Sequence, residues 1–338
     1  MGTPIPPLSP DHIMQIGYAY RATKALLSAV ELKVFTQLSA GPLELDALRM
    51  RTGVHERGAR DFFDALVALR LLTRDPEGRY ANTAETAHYL DKNKPSYLGA
   101  ELEFINSHLY AAWTDLTPAL TTGLPQRGSG GSNYPDRYKD PAARSAFANA
   151  MTAATRPAAQ ALAVKFAWRN YRTIADIGTA AGCLLAEIVV VHPHLTGTGF
   201  DLPALKPEFD SYVHERGLSD RLTFEPGDFF HDSLPRAEVL VMGRVLHNWD
   251  TTTKKMLLKK AYDALPPKGA LIVYERMIDD ERRVNATALL SSLNMLLMTS
   301  GGFDFTASEC IGWMRDTGFR DVHADSVTSE QSMVVGVK

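Results

Sequence analysis

Cysteine is nearly absent from this 338-residue chain, and the two that occur, Cys183 and Cys310, lie far apart. One disulfide is the most they could form, which excludes a disulfide framework and a cysteine-built zinc site. A basic excess is missing too: 36 Lys and Arg stand against 39 Asp and Glu, a formal net charge of -3. Nucleic-acid binding wants an uncompensated basic face, so it is not expected. No apolar run approaches the roughly 18 residues needed to span a bilayer. The proline-rich opening "MGTPIPPLSPDH" lacks the charged and then apolar run of a signal peptide, so a cytoplasmic protein without membrane association is expected. What remains is ordinary globular material, 45% apolar and 22% charged. The length suggests about two domains.

The first hundred residues read as mainly helical. "IMQIGYAYRATKALLSAVELKVFTQL" carries apolar residues at helical spacing with no proline, and "LELDALRMRTGV" and "ERGARDFFDALVALRLL" suggest two more helices broken around Gly53. "LTRDPEGRYANT" reads as a short hairpin turned by Asp-Pro-Glu-Gly. Together they suggest a winged-helix-like unit over residues 1–100. Its second helix mixes Glu56, Asp61 and Asp64 with Arg57 and Arg60, which suits a protein interface better than a phosphate backbone. Residues 101–167 stay helical, interrupted by the Gly-, Ser- and Pro-rich "GLPQRGSGGSNYPDRYKDP", an expected surface loop.

From Trp168 the texture changes. "TIADIG", "TGTGFDL", "LTFEPGDF", "EVLVMGR" and "ALIVYERM" are short apolar runs separated by helical stretches. Such alternation predicts a doubly wound α/β, Rossmann-like sheet over residues 168–338, mostly parallel. "DVHADSVT" and "SMVVGVK" are too close in sequence for a crossover, so the sheet should end in an antiparallel hairpin.

Ligands of such sheets bind beyond the carboxyl ends of the strands. There the chain offers Asp176, Gly178 and Gly182 in "ADIGTAAG", Asp201 after the second strand, and Asp228 beside Phe229 after the third. This series describes a nucleoside: backbone N–H groups, an acid for ribose hydroxyls, and an acid and a ring for the base. A dinucleotide loop needs a second glycine to admit pyrophosphate, and Ala180 stands there instead. S-adenosylmethionine carries no phosphate, and Asp176 suits its positively charged amino group. Leu202, Gly227 and Arg244 lie on the same rim and join the cofactor-binding set.

The motifs "DIGTAAG", "GFDLP", "GDFF", "VLHNWD", "ALPPKGALIVYE" and "GGFDFT" resemble, in order and spacing, the class I S-adenosylmethionine-dependent small-molecule O-methyltransferases. The branch is the one with an N-terminal dimerisation domain, typified by plant caffeate-type and bacterial antibiotic-pathway enzymes. The resemblance runs from about Asp11 to the C-terminus. It implies that Gly178, Asp201, Asp228 and Phe229 contact the cofactor and that the winged-helix-like region forms a homodimer.

Methyl transfer from a sulfonium to a phenol needs a placed base, and histidine is the commonest. His247 follows the fourth strand on the cofactor rim, Glu275 ends the fifth, and Asp304 lies in "GGFDFT". The resemblance implies that His247 is the base and that Glu275 and Asp304 flank it. No metal is expected. His192 and His194 fall in a turn away from the ligand edge and read as solvated. Candidate pocket walls are Phe104, His108, Phe147, Met151, Trp249, Asn294, Met295 and Met298, which imply a flat aromatic or polyketide-like substrate. Two departures stand out. The loop has Thr179-Ala180-Ala181 where the family often has glycines, and Asn248 replaces a frequent aspartate, which should leave the pKa of His247 lower. C- or N-methylation, a cofactor-retaining hydroxylation or cyclisation, and a non-catalytic binding protein on the same fold are the alternatives.

Overall fold

Two compact units, Met1–His108 and Leu109–Lys338, make up the computed structural model, which describes residues 8–126 and 138–338. In the first unit the long apolar-spaced segment forms a helix over Asp11–Glu31. It breaks at Lys33, whose φ of 56° turns the chain into the short helix Val34–Gln37. The next two helices are Leu45–Thr52 and Glu56–Ala68. Gly53 at φ 72° ends the first of them in a left-handed C-cap, where any Cβ would be strained. Strands β1 (Leu72–Arg74) and β2 (Tyr80–Asn82) pair antiparallel as the expected wing. Phe35, Leu48, Phe63, Leu66, Leu72 and Tyr80 pack into this unit's core. Residues 11–20 of the long helix are all exposed, Ile13, Ile16, Tyr18 and Tyr20 among them.

The second unit carries a 25-residue helix, Pro141–Lys165, that starts on an Asp140 cap accepting from the Ala142 N–H at 3.0 Å, with Pro141 at its first turn. Most of the Gly-, Ser- and Pro-rich segment before it, residues 127–137, lies outside the described residues. The strands are β3 (Thr173–Ile177), β4 (Thr196–Asp201), β5 (Leu222–Pro226), β6 (Val239–Gly243), β7 (Ala270–Glu275), β8 (Arg320–Ser326) and β9 (Ser332–Val337). They form one sheet in the order β5-β4-β3-β6-β7-β9-β8. The first five run parallel, while β9 pairs antiparallel with both β7 and β8.

The central strands are covered on both faces, which explains why they read as unbroken apolar runs rather than as alternation. Ile174, Val239, Val241, Ile272 and Tyr274 point into one core; Ala175, Ile177, Leu240, Met242, Leu271 and Val273 point into the other. Strand order reverses between β3 and β6, so a crevice is set at their carboxyl ends.

His192 and His194 are not solvated. Half-buried beside Trp168, they turn their Nε2 atoms onto the carbonyls of Ala163 and Trp168, at 2.7 and 3.2 Å. A ring packed against apolar neighbours needs such an acceptor for its N–H. Trp168 itself is buried, and its indole N–H donates to the Leu162 carbonyl at 2.9 Å. Trp168→Ala is expected to destabilise the protein by about 3–5 kcal/mol, seen as a lower urea midpoint at unchanged slope. A loss under about 1 kcal/mol would contradict its place in the core.

Candidate active site

Each parallel strand delivers one element of the site. After β3, Gly178 and Gly182 adopt φ of 80° and 85°, and a Cβ on Gly178 would sit 2.8 Å from Val245 Cγ2. Between them Ala180 also turns left-handed, at φ 50°. Its N–H is committed to Asp201 Oδ2 at 2.9 Å, and the other Asp201 oxygen accepts from the Leu202 N–H at 2.8 Å. The Ala180 amide therefore cannot serve a phosphate. Burial raises the Asp201 carboxyl to about 6 despite these two hydrogen bonds. Burial, with the Asp201 charge adding to it, raises Asp176 to about 7. Among the described ion pairs neither acid has a cationic partner. A buried acid and a half-buried one without a cation fit a ligand that brings positive charge and hydroxyl donors. After β5, Gly227 donates its N–H to the Asp201 carbonyl at 2.9 Å. Asp228 Oδ1 accepts from the Phe230 N–H at 2.9 Å. Phe229 and Phe230 meet Trp249 edge-on, with centroids 5.9 and 4.7 Å away.

After β6 the chain bends sharply. Arg244 takes φ 56°, a left-handed conformation that costs a residue with a Cβ roughly 1–2 kcal/mol. Its N–H donates to the Tyr274 carbonyl at 3.1 Å. A single 3₁₀ turn, Leu246–Asn248, then directs His247 inward. The ring is buried between two acids: Nδ1 lies 3.2 Å from Asp304 Oδ1 and 3.6 Å from Glu275 Oε2. Glu275 is 1% exposed and Asp304 0%. Burial pulls the His247 pKa down, but the Glu275 charge, the hydrogen bond to Asp304 and the Asp304 charge outweigh it, and the net shift is upward from 6.5. Burial likewise raises Glu275, with the His247 charge opposing it. The donor atoms of the three residues lie within 4.8 Å of one another, close enough for a cation to bridge. One acid hydrogen-bonded to the imidazole and a second acting on it by charge suit a proton equally well.

Asn248 is turned to the backbone. Its Nδ2 donates to the carbonyls of Arg244 at 3.1 Å and Val245 at 3.2 Å, contacts that an aspartate could not make. Its first effect is thus to hold the strained turn that carries the histidine. Phe147 is buried on the helix Pro141–Lys165, its ring 5.8 Å from Tyr138, with the half-buried Met151 one turn on. Asn294, Met295 and Met298 share the helix Ala286–Met298, and Asn294 Oδ1 is buried with no hydrogen bond among the described residues. Phe104 and His108 belong to the first unit, their rings stacked at 4.6 Å. Arg21, also there, lies over the Tyr18 ring at 4.4 Å. Sequence reasoning missed Lys254, which is wholly buried beside the acids. Its signal was available: Lys254, Leu257, Leu258 and Ala261 form one buried stripe at helical spacing.

Comparison with known proteins agrees with this layout. Residues 113–320 match the model of the O-methyltransferase domain, and residues 14–92 match that of the O-methyltransferase dimerisation domain. The chain is 42% identical, over 97% of both chains, to the tetracenomycin polyketide synthesis 8-O-methyl transferase TcmO of Streptomyces glaucescens. It is 36% identical to the N,N-dimethyltransferase OxyT of Streptomyces rimosus, over 96% of this chain and 95% of that one. Among solved structures it is similar to human N-acetylserotonin methyltransferase in complex with S-adenosylmethionine. The TM-score is 0.91 at 25% identity, covering 100% of this chain and 99% of the other.

Asn248→Asp is expected to destabilise the protein by about 1–3 kcal/mol, because two carbonyls lose a donor and face a carboxylate instead. An unchanged denaturation midpoint would contradict the structural role of the amide.

Proposed function

Since the chain belongs to the S-adenosylmethionine-dependent O-methyltransferase family, we propose that it methylates a phenolic hydroxyl of a small aromatic or polyketide-like compound, with His247 as general base. The observation that carries this reading is the buried imidazole whose Nδ1 faces Asp304 and Glu275. The cofactor supplies a methyl group on a sulfonium. Gly178 and Gly182 give it open backbone, Asp176 and Asp201 give it carboxylates, and Asp228 and Phe229 receive the base. Leu202, Gly227 and Arg244 complete that rim.

A phenol is mostly protonated at neutral pH, so its oxygen is a poor nucleophile until the proton is taken. With Nδ1–H donated to Asp304, the Nε2 lone pair of His247 is left to accept that proton. The two carboxylates favour the imidazolium that results, as the orienting acid does in other histidine-base sites. Phe147, Met151, Trp249, Asn294, Met295 and Met298, all of the second unit, supply apolar wall and polar contact for a flat ring. An amine acceptor is the second reading, because OxyT is an N,N-dimethyltransferase and a protonated amine needs the same base.

Homodimerisation through the first unit belongs to the proposal. It is supported by the match to the dimerisation domain and by the exposed apolar residues of the first helix, Ile13 at 72% and Ile16 at 64%. Among the described residues no helix is long and apolar enough to cross a membrane.

A labelled-methyl assay over a panel of phenols and aromatic amines tests the assignment. His247→Ala should lower the rate by about 10²–10⁴-fold, while calorimetry still registers S-adenosylmethionine binding. Full activity in the variant would remove His247 from the chemistry. The base acts in its neutral form and its pKa is raised, so the rate should climb with pH through a midpoint above 6.5. A plateau already reached below that value would contradict the electrostatic assignment.

A further inference from the structure

The helix Thr251–Ala264 buries a lysine where its neighbours on the stripe are apolar. Lys254 is 0% exposed. Its ammonium donates to the carbonyl of Trp249 at 2.6 Å, two residues past His247, and to that of Phe303 at 3.0 Å, one residue before Asp304. It also lies 3.2 Å from the centroid of the Phe303 ring and 5.4 Å from that of Phe305. One side chain therefore bridges the segment that carries the imidazole and the segment that carries its carboxylate. The same segments meet backbone to backbone at Gly302. A Cβ there would lie 2.5 Å from the His247 carbonyl oxygen and 2.7 Å from the Asn248 carbonyl carbon.

The geometry points to Lys254 and Gly302 as a positioning clamp that sets the contact between His247 Nδ1 and Asp304, and through it the tautomer of the ring. A neutral imidazole in water favours its proton on Nε2. A carboxylate held at Nδ1 reverses that preference and frees Nε2 as the acceptor. Gly302 lets the two backbones approach, and Lys254 ties them while satisfying two carbonyls inside the protein. Burial lowers the ammonium to about 8, opposed by the charges of Glu275, Asp304, Asp250 and Glu309, so the cation persists at neutral pH. Neither residue touches the reacting atoms, so both act through His247.

The clamp rests on His247 being the base, yet its test needs no substrate. Protein labelled with ¹⁵N in its histidine rings is studied above the pH at which His247 titrates, and the ring signals are assigned by comparison with His247→Gln. The Nδ1–H form should predominate in the unaltered protein. In Lys254→Met and in Gly302→Ala the ratio of Nδ1–H to Nε2–H should fall by about tenfold, the effect of loosening one charge-assisted hydrogen bond. Gly302→Ala keeps the ammonium and carries the result if Lys254→Met fails to fold. Calorimetry with S-adenosylmethionine reports the fold of each variant. An unchanged ratio in a variant that still binds S-adenosylmethionine overturns the clamp. Failure of the base assignment itself would appear only in the methyl-transfer rate of His247→Ala, so the two failures are distinct.

Discussion

Two carboxylates and an imidazole are buried together beside the ends of β6 and β7, and charge withdrawn from solvent has to be balanced by its neighbours. Glu275 is fixed by the last pair of the β7–β9 ladder, opposite Ser332, so the antiparallel insertion of β9 places it as firmly as a core residue. Asp304 arrives on a loop held by Lys254 and closed by a Thr306–Glu309 capping box on the following helix. Between them His247 becomes more basic than an ordinary histidine, although its burial alone would make it less so. The electrostatics of the ring are therefore set by two distant segments rather than by its own turn.

The same economy governs the cofactor rim. The reversal of strand order between β3 and β6 opens a crevice, and the chain enters it in left-handed conformations on both sides: Gly178, Ala180 and Gly182 after β3, Arg244 after β6. Two of these four are not glycine. Strain of that kind persists where surrounding contacts over-determine the backbone. Here the contacts are identifiable, Asp201 on the Ala180 N–H and the Asn248 amide on the Arg244 carbonyl.

Much of this was legible in the sequence because strand ends and ligand edges coincide in a doubly wound sheet. Apolar runs located β3, β4, β6 and β7, the short link before "SMVVGVK" forced the terminal hairpin, and the motifs at successive strand ends put Asp201, Asp228, His247 and Glu275 on one edge. Other features were hidden. The Asn248 amide meets carbonyls only three and four residues back, those of Val245 and Arg244, but residue type alone does not say whether it turns to them or to the histidine ring. Lys254 went unread in "TTTKKMLLKK", although the buried stripe it shares with Leu257, Leu258 and Ala261 has helical spacing. The turn histidines His192 and His194 read as solvated because the carbonyls they reach, at Ala163 and Trp168, come from more than twenty residues away.

The central claim is that buried carboxylates, Glu275 foremost, raise the basicity of His247 against the cost of burial. An NMR titration of the His247 ring in the free protein and in Glu275→Gln tests it most directly. A midpoint above 6.5 in the unaltered protein, moving to lower pH when the negative charge is removed, is the predicted result. A midpoint at or below 6.5, or one that Glu275→Gln leaves in place, would contradict the account.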